Sequence, residues 1–150
     1  MIHIALIEPE IPPNTGNIAR LCAATNSTLH IVGATGFRLD EKAVRRAGLD
    51  YWEYVTIKRH IELDDLFKSL PDSRFLFLTT KTNRNYASFS FRENDCLVFG
   101  RETKGLPESL LTENEENCLT IPMSNKNVRS LNLATSVGIV LYEAIRQIKL

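Results

Sequence analysis

Short apolar runs alternate along this chain with stretches whose apolar residues recur at helical spacing. The runs Ile2–Ile7, Leu29–Val32, Tyr54–Ile57, Phe75–Thr79, Leu97–Phe99 and Cys118–Ile121 read as strands. Each is apolar on both sides of its alternation, which suits strands covered on both faces, as in a parallel sheet. Between them, Asn14 is placed to cap a helix in which Ile18, Leu21, Cys22 and Thr25 share one face. Asp40 can cap a helix over Glu41–Ala47, with Gly48 at its end. Ile61–Leu70 carries Leu63, Leu66, Phe67 and Leu70 and stops at Pro71, and a short helix is expected after Pro107. The last helix runs from about Asn132 to Lys149. The pattern predicts one α/β domain over residues 1–150, a mainly parallel sheet flanked by helices.

The final helix is unusual. Val137-Gly-Ile-Val-Leu141 is apolar around its circumference, with only Glu143, Arg146 and Lys149 as a polar stripe. Such a helix is buried on more than one side. A partner subunit would cover the second side, with Gly138 admitting a neighbouring helix. The alternative is a helix wedged inside one domain.

Composition narrows the classes. The chain has 150 residues, 43% of them hydrophobic, enough for one independent core. Its 18 basic and 18 acidic side chains balance, so any nucleic-acid surface must be a local patch. MIHIALIEPE carries Glu8 and no basic leader, and reads as a strand rather than a signal peptide. No apolar run has the length of a membrane span. Cys22, Cys96 and Cys118 lie in apolar segments without a C-x-x-C pair, which predicts buried thiols and a cytoplasmic protein. His3, His30 and His60 are scattered and show no metal-ligand spacing, so no metal site is expected.

Candidate chemistry gathers in loops after the strands, where parallel sheets bind ligands. Thr80–Arg84, Gly100–Gly105 and Pro122–Ser130 follow three of the predicted strands. Leu97-Val-Phe-Gly-Arg-Glu-Thr-Lys-Gly-Leu-Pro107 has a glycine, four residues and a glycine, but Leu106 and Pro107 stand where a triphosphate loop needs Lys and Ser or Thr. Together such loops can grip a purine and ribose through backbone groups; singly, each also reads as a polar connector. Asn14, Asn17 and Arg20 recur every three residues and share about a third of the helix circumference. Spacing leaves two readings open: a functional face, or a plain cap beside a solvated charge.

Asn14-Thr-Gly-Asn-Ile-Ala-Arg20, Leu97–Pro107 and Ile121-Pro-Met followed by Arg129-Ser-Leu-Asn-Leu133 resemble the three ordered motifs of the SPOUT RNA methyltransferases. Arg45-Arg-Ala-Gly-Leu-Asp-Tyr51 and Tyr142-Glu-Ala144 resemble the minimal single-domain branch, which 2′-O-methylates the wobble nucleotide of certain leucine tRNAs. The loop between Met123 and Arg129 is longer by one residue than is usual there. The resemblance implies a C-terminal trefoil knot, S-adenosylmethionine (SAM) as methyl donor, a homodimer, and tRNA bound at its anticodon loop.

The resemblance also implies site residues. SAM would be held at Leu78, Gly100, Ile121, Ser130 and Leu131, with Gly100 letting backbone approach the cofactor. Arg20 would be catalytic, oriented with the ribose by Asn14 and Asn17, and completed by Arg129 and Tyr142. A guanidinium is a poor base, so clamping a phosphate and stabilising the developing alkoxide is the preferred role, with a base role as the alternative. Lys42, Arg45, Arg46, Lys58, Arg59, Lys81 and Arg84 are candidate RNA contacts, though each alone also reads as a solvated charge. Competing readings are a ribosomal RNA methyltransferase and a non-catalytic nucleotide-binding module. Against the latter, Glu8-Pro-Glu10 lacks the adjacent acids of a phospho-acceptor and Pro9–Pro13 lacks a flavin phosphate loop.

Overall fold

β1 (His3–Ile7) and β5 (Cys96–Phe99) have nearly every residue buried and lie side by side at the centre of one six-stranded sheet. The computed structural model describes residues 1–39, 42–47 and 51–149. In chain order the other elements are α1 (Pro12–Thr25), β2 (Thr28–Val32), α2 (Lys42–Ala47), β3 (Thr56–His60), α3 (Leu63–Ser69), β4 (Phe75–Leu78), α4 (Glu108–Glu113), β6 (Cys118–Leu119) and α5 (Leu133–Lys149). The strands run β3-β2-β1-β5-β4-β6, and every neighbouring pair is parallel. The expected α/β architecture is therefore present.

Successive strand residues feed two cores. Ile4, Leu6, Leu29, Ile31, Leu97 and Phe99 pack with Ile18 and Cys22 of α1 and Val137, Val140 and Leu141 of α5. Ala5, Val32, Phe77 and Val98 face the other way, towards Leu66 of α3 and Leu111 of α4. Fully burying one such aliphatic side chain contributes ~1.5–3 kcal/mol. The three cysteines are buried free thiols, and burial raises Cys22 to about 12.

The third strand is the clearest departure from expectation. Tyr54–Ile57 was the apolar run, but Trp52–Tyr54 forms a 3-10 turn and β3 follows at Thr56–His60. β3 is an edge strand whose Lys58 and Arg59 are exposed, so its sequence lacks the two-sided apolar signal. β6 is only Cys118–Leu119, and Thr120 continues as an isolated bridge to Asn85. α3 starts at Leu63 because Glu62 and Asp65 form a reciprocal capping box. α2 matches the expected second helix, whose cap Asp40, first residue Glu41 and stop Gly48 lie outside the described residues.

α5 packs on α1 of the same chain. Gly138, expected to admit a helix of a partner, faces α1 of its own chain, where a Cβ would stand 3.6 Å from Leu21 Cδ1. Ile139 remains half-buried and Tyr142 is 51% exposed, so α5 keeps an uncovered strip.

Candidate functional site

The C-terminal ends of β4, β5 and β6 open onto a cavity of about 530 Å³. That volume lies in the range of small-molecule sites, ~300–1,000 Å³. Leu78, Gly100, Ile121, Ser130 and Leu131 all line it, as does Arg129. These are the positions predicted for the cofactor, brought together from three separate loops. Leu78 and Ile121 are half-buried and form apolar wall, while Ser130 and Leu131 lie on the exposed side.

The loop after β5 closes on itself. Gly105 N–H donates to the Arg101 carbonyl at 2.9 Å, and Gly105 takes φ +66°, in the left-handed region. A Cβ at Gly100 would collide with the backbone of Gly105 and Leu106. Within the chain, the loop's own backbone already demands glycine at 100.

The same loop grips the start of α1. The Glu102 carboxylate accepts from Glu10 N–H at 2.9 Å, Ile11 N–H at 2.8 Å and Asn14 Nδ2 at 3.3 Å. Thr103 donates to Glu10 through its hydroxyl at 2.8 Å and its N–H at 3.2 Å, which lowers the Glu10 carboxyl below its usual range. Arg101 pairs with Glu8 at 2.9 Å. Asn14 is therefore not the helix cap; the helix begins at Pro12 after Ile11, and no side chain of α1 caps it. A carboxylate borrowed from a loop 88 residues away serves that end and complements the helix dipole. On its other side Asn14 Oδ1 accepts from Asn132 Nδ2 at 3.1 Å. Asn14, 7% exposed, thus ties together the first, second and third motif segments.

Glu102 and Asn132 were not singled out from the sequence, although both sit inside the quoted motifs. Their partners are remote in sequence, so no local spacing marks them.

Asn17 and Arg20 lie on the exposed face of α1, while Asn14 is buried beneath the loops. The expected shared face is therefore split. Asn14, Asn17, Arg20 and Tyr142 do not line the cavity of their own chain. The Arg20 guanidinium sits over the Tyr51 ring, 4.7 Å from its centroid. Arg46, Lys42, Lys58 and Arg59 are exposed, whereas the side chain of Arg45 lies outside the described residues. Lys81 pairs with Glu108 at 2.9 Å and Arg84 donates to the Glu116 carbonyl at 3.0 Å. Among the described residues no group of three His, Cys, Asp or Glu could hold a metal, and no helix is long and apolar enough to cross a membrane.

The profile of the SpoU rRNA Methylase family matches residues 1–142. A tRNA (cytidine(34)-2'-O)-methyltransferase of Escherichia coli (strain K12) is 46% identical over 149 residues, covering 99% of this chain and 94% of that protein. A solved structure described as giving structural insights into the 2-OH methylation of C/U34 on tRNA superposes with TM-score 0.93 at 42% identity, covering 98% of this chain and 95% of that one. An AdoMet-bound rRNA methyltransferase from Sinorhizobium meliloti superposes with TM-score 0.85 at 25% identity, covering 97% of this chain and 56% of that one.

Proposed function

Since this chain belongs to the SpoU rRNA methylase family, we propose that it is a SAM-dependent tRNA methyltransferase acting on the 2′-hydroxyl of nucleotide 34, cytidine or uridine, in the anticodon loop. Leucine tRNAs are the expected substrates. The observation that carries the reading is the convergence of Leu78, Gly100, Ile121, Ser130 and Leu131 on one cavity.

The cavity suits SAM chemically. Its walls join apolar side chains to turns rich in backbone N–H and C=O groups, which can read a purine and a ribose. The collision a Cβ at Gly100 would meet explains why the wall there carries no side chain. When bound, SAM supplies an electrophilic methyl carbon. The residues of the chain must bring the ribose 2′-oxygen into line and manage its proton. Arg20 holds an RNA phosphate and stabilises the developing alkoxide, with the proton passing to a phosphate oxygen or to water. Asn17 lies one helical turn before Arg20 and orients the ribose; Asn14 fixes the start of the helix that carries both.

Arg20 lies outside its own chain's cavity, so we assign the working unit to a homodimer in which Arg20 of one protomer serves the cavity of its partner. The half-buried Ile139 and exposed Tyr142 of α5 belong to that contact, and Arg129 and Tyr142 complete the site. The C-terminal segment of such a fold threads the trefoil knot implied by the motifs.

The test is nucleoside mass spectrometry of tRNA and ribosomal RNA from cells with and without the protein. Loss of one 2′-O-methylated cytidine or uridine from an anticodon loop is expected. Unchanged tRNA with a methyl group missing from ribosomal RNA would instead favour the substrate class named by the family profile.

A further inference from the structure

Tyr51 closes the Arg45–Tyr51 segment, takes no part in the cavity, and leads into the 3-10 turn that packs on α1. Its ring, 38% exposed, lies beneath the exposed Arg20 guanidinium. Other arginines are held differently. Arg74 also stacks on a ring, Phe89 at 5.0 Å, but its Nε and Nη2 are bound by Asp95 at 2.9 and 2.7 Å. Arg101 and Arg146 are paired with Glu8 and Glu143. Among the described residues, Arg20 has neither a carboxylate nor a carbonyl partner; the ring is its one contact of this kind.

The difference has a chemical consequence. An aromatic face attracts a cation through its quadrupole. It touches the guanidinium plane and leaves the five N–H donors along its edge unused. A carboxylate would restrain the side chain as well, but would occupy those donors and cancel the charge. Ordering the side chain before RNA arrives also reduces the entropy lost on binding.

We infer that Tyr51 is a positioning residue for methyl transfer: its ring holds Arg20 face-on, with the charge intact and the donor edge open to a phosphate and the reacting ribose. This rests on the reading that Arg20 acts on RNA.

The experiment compares steady-state kinetics on tRNA, SAM affinity and the Arg20 Nε–H NMR resonance across variants. Tyr51→Leu is expected to lower kcat about 3- to 30-fold, the range of one cation–π contact, with SAM affinity unchanged. Tyr51→Phe keeps the ring and is expected to restore the rate to within about twofold. Tyr51→Gln, polar and suited to an exposed position, repeats the loss should the leucine variant fold poorly. The ring-current shift of Arg20 Nε–H should persist in Tyr51→Phe and vanish in the ringless variants. Adding Tyr51→Leu to Arg20→Ala should cost nothing more.

A wild-type rate in Tyr51→Leu beside an inactive Arg20→Ala overturns the inference. So does an equal loss in Tyr51→Phe, or a further loss in the double variant. Near wild-type turnover by Arg20→Ala would instead remove the role given to Arg20. The ring-current shift would then still report, separately, whether Tyr51 holds it.

Discussion

At the scale of single residues, two groups dominate what the fold can tolerate. Glu102 accepts from two backbone N–H groups and from Asn14, so its removal leaves donors at the start of α1 without a partner. Glu102→Ala should destabilise the protein by about 1–3 kcal/mol and lower methyl transfer more than Glu102→Gln, which keeps one acceptor oxygen. Denaturant titration beside activity checks this; equal activity in both variants would show that the clamp is idle. The second group is His30, wholly buried between two other imidazoles. Its Nε2 is 3.0 Å from His3 Nδ1 and its Nδ1 2.9 Å from His60 Nε2. A neutral His30 donates at one nitrogen and accepts at the other, so the protons along the row all point one way. Burial first, then His3, His60 and Lys58, push His30 down from 6.5 to about 3. Burial lowers His3 and His60 as well, with Asp65 partly opposing at His60. A histidine with a depressed folded pKa binds fewer protons folded than unfolded. Its contribution to stability is complete above about 6.5 and is lost as pH falls towards about 3. Each such proton contributes a slope of up to about 1.4 kcal/mol per pH unit. Urea midpoints should therefore drop between pH 7 and pH 5, and His30→Gln should flatten that drop. An unchanged midpoint over this range would contradict the arrangement.

At the scale of elements, the loop after β5 concentrates the structural demand. Gly100→Ala would drive a Cβ into the backbone of Gly105 and Leu106, so the loop must open, at a cost of about 1–3 kcal/mol. Gly105→Ala meets no atom but is held at φ +66°, a strain of about 1–2 kcal/mol. Gly36→Ala meets nothing within 4 Å and serves as the control. Calorimetry with SAM should show affinity falling about tenfold or more for Gly100→Ala, less for Gly105→Ala, and not at all for Gly36→Ala. Tight binding by Gly100→Ala would mean that the loop is not part of the cofactor wall. What could be read beforehand follows the same physical lines. β1 and β5 are buried on both faces, so apolar runs interrupted only by His3 mark them. β3 lies at the edge, where Lys58 and Arg59 displace the apolar signal and shift the strand beyond Tyr54. The glycines of the loop were legible as punctuation, and the cavity positions as motif. The cap of α1 was not, because Glu102 stands outside the window in which local spacing acts. The histidines looked scattered for a related reason: parallel pairing sets β1, β2 and β3 side by side, and side chains reaching diagonally across it join residues 27 and 30 positions apart.

At the scale of the whole molecule, charge decides how RNA is held. Equal numbers of basic and acidic side chains leave no global attraction, and several cations are already engaged: Arg74 with Asp95, Arg101 with Glu8, Lys81 with Glu108 and Arg146 with Glu143. Exposed Arg20, Lys42, Arg46, Lys58, Arg59 and Arg129 remain as candidates, spread over α1, α2, β3 and the loop before α5. An anticodon loop is small and cannot touch all of them at once. With about four phosphates engaged, log K against log salt should fall with a slope of about −3 to −4. Filter binding between 50 and 200 mM salt, roughly the range over which such slopes are resolved, measures it directly. A slope near −9 would imply about ten contacts and an RNA footprint reaching well beyond the loop. A protein dilution series tests the homodimer. If Arg20 of one protomer serves its partner's cavity, dilution below the dimerisation constant should abolish methyl transfer while each protomer still binds SAM. Activity that stayed proportional to protein concentration through that transition would locate the complete site within one chain.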